Sequence, residues 1–302
     1  MKTFKATFIF LSIILSSCIV NTTKGTRYEL PSVRNNVCKT LTNKVVLYAI
    51  FVDSKETHPW SKYDLESTSD SIRKSISWLE KMAKQNNIPL AITYDHPVIN
   101  KKIPVRGELK YKTLSGTLFY SRNMKVGIDL IDDWSDAIAR RLNKMFPADS
   151  SAMISMKNTM NSRERLIAKL RDIHKTDNIA LMYFVNNYFE DEISFALHTS
   201  SDKKTEYAVV STKHPSVIAH EFLHIFGALD LYISPFDRRK NKKIKKKAMK
   251  LYSNEIMAFA HRSIDSLQIS SFTKYLIGWD NKLNETDSKI FIPRKRRHLT
   301  SY

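Results

Sequence analysis

The apolar positions of the chain follow two periods. Eight consecutive apolar residues, Val45 to Val52 in "KVVLYAIFVD", are rich in β-branched and aromatic types and predict a buried strand over Lys44 to Asp53. Between Ser69 and Asn86 the period becomes helical, with Ile72, Ile76, Leu79 and Ala83 on one face. "IPLAITY", Ile88 to Tyr94, predicts a second strand, and alternation in "KIPVRGELKYKTL" hints at further strand inside the weakly patterned stretch Asn100 to Ile128. Helical spacing returns at Trp134, Ile138, Leu142 and Met145, and again at Leu166, Leu170 and Ile173. Three short apolar runs follow, "NIALMYFVN", "ISFALHT" and "EYAVVST", each of strand length and the last two separated by turn-like polar residues. His214-Pro215 then opens a helix, since proline is tolerated in a first turn whose N–H groups have no partner. Strands and helices in this order predict an α+β fold.

Composition adds bounds. The chain has 302 residues, 42% hydrophobic and 11% aromatic, enough for a proper core. Six glycines and nine prolines exclude collagen-like or low-complexity architecture. Ahead of the first strand, Lys2 and Lys5 precede an apolar run, Ala6 to Ile14, too short to span a bilayer comfortably, and then Leu15-Ser16-Ser17-Cys18. Residues 1–17 are read as a signal peptide. The Leu-Ser-Ser-Cys ending resembles the lipobox of bacterial lipoproteins, which implies lipid on Cys18 and an exported chain anchored to a bacterial membrane, at the cell surface or facing the periplasm; the alternative is an ordinary cleaved secretory signal. Residues 18–43 then read as a tether, in which Cys38, the second of two cysteines, is a free thiol.

The net charge of +19 is unevenly spread: nine basic residues lie in Arg238 to Lys250 and four in Arg294 to Arg297, so the body itself is only mildly basic. Such runs repel themselves and read as solvated loops; the functional alternative for 238–250 is contact with an anionic surface, each cation there being worth roughly 1 kcal/mol. Neither run carries interleaved aromatics or a nucleic-acid module, so no nucleic-acid partner is expected. Residues 280–302 read as a basic C-terminal tail.

The candidate chemistry lies in "HEFLHIFGALD", His220 to Asp230. His220 and His224 are four apart, so on a helix both imidazoles face one point and reach a single zinc ion at about 2.0–2.1 Å. Glu221 stands beside them, suited to take a proton from the water of such a site without being a ligand. Gly227 lets the chain leave the helix sharply, and Asp230, three residues on, can supply a third ligand. Two satisfied core histidines would leave a buried glutamate between them unexplained. A competing assignment takes Glu255 of Asn254-Glu255 as third ligand, in the manner of the thermolysin-like group.

The motif resembles the metzincin zinc metallopeptidases, H-E-x-x-H-x-x-G-x-x-H/D, in the aspartate form of snapalysin-like enzymes. The resemblance covers about Lys44 to Trp279 and implies a metallopeptidase domain over 44–279: a twisted mixed β-sheet with an active-site helix, a methionine turn at Met257 in "SNEIMAFA" and a final helix in "SLQISSFTKYLIGW". It further implies a zinc endopeptidase acting on extracytoplasmic proteins, with Glu221 as general base and the peptide extended along an edge strand expected at Ile193 to Thr199. Two departures stand out. Aspartate replaces the commoner histidine, and Phe259 stands where several metzincins place a tyrosine hydroxyl. A non-catalytic surface lipoprotein with a structural or vestigial metal is the alternative. His198, His214 and His261 are read as strand, cap or surface residues, and Trp60, Trp78, Trp134 and Trp279 as core aromatics.

Overall fold

The structure, a computed structural model, describes residues 38, 40–98, 103–120, 123–146, 160–187, 192–198, 204–234 and 237–291. The leader 1–17, the lipidation candidate Cys18 and the basic run Arg294 to Arg297 lie outside these residues.

The long apolar runs become the centre of a mixed sheet. β1 (Asn43–Asp53) pairs in parallel with β2 (Leu90–Asp95) on one side and with β4 (Asn178–Val185) on the other, while β3 (Val105–Arg106) pairs with the far end of β1. β6 (Tyr207–Val210) lies parallel to β4, and β5 (Phe195–Leu197) closes the sheet antiparallel to β6, giving the order β2-β1-β4-β6-β5. Val45 to Val52 and Ile179 to Val185 are buried throughout, the pattern of parallel strands covered on both faces. The fold is thus α+β with a mixed sheet.

α1 (Lys62–Gln85) begins earlier than its apolar period, because the Ser61/Asp64 capping box sets its start while its first turns face solvent. The weakly patterned stretch resolves into little strand and more helix: α2 (Leu114–Leu118) and α3 (Met124–Asn143) follow β3, then α4 (Ser162–His174). α1 packs on α5 (Pro215–Ile225), where Ser75 Oγ donates to Pro215 O at 2.7 Å. α3 packs on α4.

Three segments depart from expectation. Arg238 to Lys250 is not a loop but a helix, α6 (Arg239–Leu251), held inward by Ala248 and Met249. Cys38, expected in a solvated tether, is 1% exposed, and its thiol donates to Ile179 O at 3.2 Å. Beyond the short helices α7 (Ile256–Phe259) and α8 (Ser271–Leu276), the segment read as a tail still forms α9 (Glu285–Phe291), whose buried Asp287 accepts from Ser271 Oγ at 2.7 Å. Trp78, Trp134 and Trp279 are buried and Trp60 is half-buried against the core. Among the described residues no helix is long and apolar enough to cross a membrane.

Candidate metal centre

α5 carries both histidines on its buried side: His220, Glu221 and His224 are all nearly inaccessible. The helix stops where Gly227 adopts φ +96, with Gly227 N donating to His224 O and Ala228 N to Leu223 O. That left-handed residue turns the chain back, and Asp230 comes under the helix end. The result is convergence: His220 Nε2 and His224 Nε2 are 3.1 Å apart, and Asp230 Oδ1 is 3.2 Å from the first and 3.0 Å from the second.

The outer nitrogens decide what the inner ones can do. His220 Nδ1 donates to Ile256 O at 3.2 Å and His224 Nδ1 to Ala228 O at 2.8 Å. A carbonyl only accepts, so each Nδ1 holds a proton and each Nε2 is left facing the other and Asp230 Oδ1. Two nitrogens and a carboxylate oxygen this close need positive charge among them, either a proton shared with Asp230 or a metal ion bound by all three. Their spacing is close to the roughly 3.3 Å separating two nitrogens bound to one tetrahedral ion at 2.0–2.1 Å. The donor set therefore fits zinc.

Without a metal ion, a proton supplies that charge. Burial disfavours a charged His224, but the hydrogen bond and charge of Asp230 outweigh it and push the imidazole up to about 9. Burial would raise Asp230, yet hydrogen bonds from His220 and His224 hold it far below the usual carboxylate range. Glu221 is raised by burial, an effect the two histidines oppose and Asp230 reinforces. Its Oε2 is buried and has no hydrogen-bond partner among the described residues, a costly arrangement for an inert core residue.

The expected residues around the centre fall into distinct places. Ile256 and Met257, both buried, underlie it: the first accepts from His220, and Met257 O accepts from Leu231 N at 2.9 Å, which fixes the loop carrying Asp230. Glu255 is not brought to the cluster; its carboxylate caps α7 through Met257 N and accepts from Thr273 Oγ1 at 2.9 Å and from Ser270 N. Phe259 packs under Arg262, whose guanidinium carbon lies 4.0 Å from the ring centroid. His214 is the N-cap position of α5, and His198 ends β5 against Asp132.

A cleft of about 180 Å³ opens beside the cluster, lined by Ser194, Phe195 and Ala196 of the edge segment and by Glu221, His224, Asp230 and Tyr232. Tyr232 is the residue the motif reading missed. Its ring centroid lies 6.2 Å from that of His220, and burial together with the Asp230 and Glu221 carboxylates raises its phenol. The one signal for it in the sequence was position, two residues past the last candidate ligand. A larger cleft, about 850 Å³, lies elsewhere around His58, Asp64, Asn186 and Lys213, but none of its residues belongs to the cluster. No protein-family model matches the chain, and no curated protein or solved structure matches it either.

Proposed function

We propose that the chain is a zinc-dependent endopeptidase of metzincin type, exported and held to a bacterial membrane by lipid on Cys18. The observation that carries this reading is the meeting of His220 Nε2, His224 Nε2 and Asp230 Oδ1 beside a buried glutamate, one oxygen of which has no hydrogen-bond partner among the described residues. These three side chains would hold the metal. A bound zinc ion supplies Lewis acidity, which acidifies water and polarises a peptide carbonyl.

The chain's own groups do the rest. Glu221, raised by its burial, is a better proton acceptor than an ordinary carboxylate; it takes a proton from water and returns it to the departing amine. β5 pairs only with β6 among the described residues, so its other edge offers backbone groups to an extended peptide, and Phe195 and Ala196 on that strand line the cleft. Tyr232 lines the cleft with Asp230 and supplies there a hydroxyl of the kind that Phe259 lacks.

The test combines metal content with activity. The purified chain is expected to hold one zinc ion, to lose it in Asp230→Ala and to keep it in Glu255→Ala. It is expected to degrade denatured casein, and to stop on adding a chelator or in Glu221→Ala. Retention of metal by the Asp230 variant rejects the ligand set. Activity indifferent to chelator and to Glu221→Ala rejects the enzyme and leaves a surface lipoprotein that binds a partner.

A further inference from the structure

α6 and its N-cap residue Arg238 carry eight exposed cations that form no ion pair among the described residues. Lys245 is the exception, pairing with Asp237 at 3.0 Å. Asp237 also feels the charge of Lys242, but among the described residues no acidic side chain forms a close ion pair with Lys242, Lys243, Lys246, Lys247 or Lys250, nor with the three basic residues at the start of the helix. The arrangement opposes helix formation twice. Lys242/Lys246 and Lys243/Lys247 are like-charge pairs one turn apart, and Arg238 to Lys240 set positive charge at the positive end of the helix dipole. A bound polyanion would relieve both.

The position of α6 says where such a polyanion leads. Lys245 Nζ lies 5.6 Å from the ring centroid of Tyr232, and Tyr232 lines the metal cleft with Asp230. α6 thus meets the cleft wall through its inward, paired Lys245, while its exposed cations face solvent. An interfacial membrane helix buries an apolar face in lipid. α6 has spent that face on its own protein: Ala248 and Met249 pack on the core, and Leu251 is its exposed apolar side chain. The helix is about 20 Å long, the span of roughly six extended residues.

We propose that α6 captures an acidic stretch of polypeptide and presents the neighbouring segment of the same chain to the cleft. Capture stands on the charge and position of α6 alone; presentation rests on the endopeptidase reading.

The experiment separates the two. Fluorescent decaglutamate and a neutral Gly-Ser peptide of equal length are titrated against the full chain in chelator. Decaglutamate binds, more weakly as salt rises, and the neutral peptide does not. Changing Lys242, Lys243, Lys246 and Lys247 together to glutamine weakens binding about tenfold or more, with the circular dichroism spectrum unchanged because glutamine keeps the helix propensity. The same change at Lys62, Lys81, Lys84 and Lys125 leaves binding intact. With zinc restored, a fluorogenic peptide flanked by hexaglutamate shows a lower KM than its hexaglutamine twin, and the α6 variant abolishes the difference. Equal binding of both peptides, or decaglutamate binding untouched by the α6 variant, overturns the proposal. So does α6-dependent capture of phosphatidylglycerol vesicles by a chain that ignores decaglutamate. Capture without cleavage of either substrate upholds the docking surface and overturns presentation.

Discussion

Glu221 holds one carboxylate oxygen in the protein interior without a hydrogen bond among the described residues, beside two imidazoles. Replacing it with glutamine keeps its size and removes its basicity. We expect Glu221→Gln to bind zinc as the parent does while kcat falls about 10²- to 10⁴-fold, read by casein hydrolysis and metal analysis on one preparation. Tyr232 allows a subtler test. If its hydroxyl steadies the charge that develops on the peptide oxygen, Tyr232→Phe lowers kcat about tenfold to a hundredfold with little change in KM; a change confined to KM would assign the phenol to substrate binding instead. The meeting of the two histidines was legible in the sequence because helix geometry converts a spacing of four into a shared face, and that of Asp230 because Gly227 ends the helix three residues before it. Tyr232 was not, since its place depends on a loop that returns under α5, fixed by Leu231 N on Met257 O.

Among the elements, β5 matters most to the cleft and is the weakest on its own, three residues long at the end of the sheet. It is anchored from behind. Asp132 of α3 accepts from His198 at the end of β5 at 2.7 Å, Lys204 before β6 at 3.0 Å, Tyr207 in β6 at 2.7 Å and Arg163 of α4 at 3.0 Å. Burial would raise this carboxyl, but His198, Arg163 and Tyr207 hold it well below its ordinary value. Removing it leaves the buried Arg163 uncompensated, so Asp132→Ala should cost about 3–5 kcal/mol in urea unfolding at neutral pH and raise KM as β5 loosens. The pH dependence follows from the depressed folded value: the stabilisation is complete above the unfolded carboxyl pKa of about 3.9 and is lost as pH falls below it, so the variant and the parent should converge in acid. The clamp could not be read in advance, because it joins residues distant in sequence within stretches of weak pattern. β1, β4 and α5 were legible, being continuous apolar runs or a dense motif. α6 was not: charge repulsion argues for a loop, and only Ala248 and Met249, finding the core, decide otherwise.

At the scale of the molecule, the first and last parts of the body are stitched together on the side of the core where β1 begins. Leu41 N donates to Ile277 O at 2.9 Å, and Trp279 Nε1 returns a bond to Leu41 O at 2.6 Å. Gly278, at φ +82, lets Thr40 lie so close that a Cβ there would come within 2.9 Å of its side chain. Leu41 itself is fully buried, and Cys38 reaches the backbone of β4 beneath it. Composition suggested a tether over residues 18–43; the packing puts Cys38 and Leu41 in the core instead. Thiol labelling discriminates between these. Burial raises the Cys38 thiol well above its usual value, and the thiolate that reacts is scarce until the segment opens. In a Cys18→Ser chain, Ellman's reagent should therefore modify Cys38 only as fast as the body unfolds. Leu41→Ala should cost about 2–5 kcal/mol and speed labelling by about tenfold for each 1.4 kcal/mol lost, because the open population governs the rate. Rapid labelling of the native parent would return the segment to solvent and leave Trp279 Nε1 in need of another acceptor.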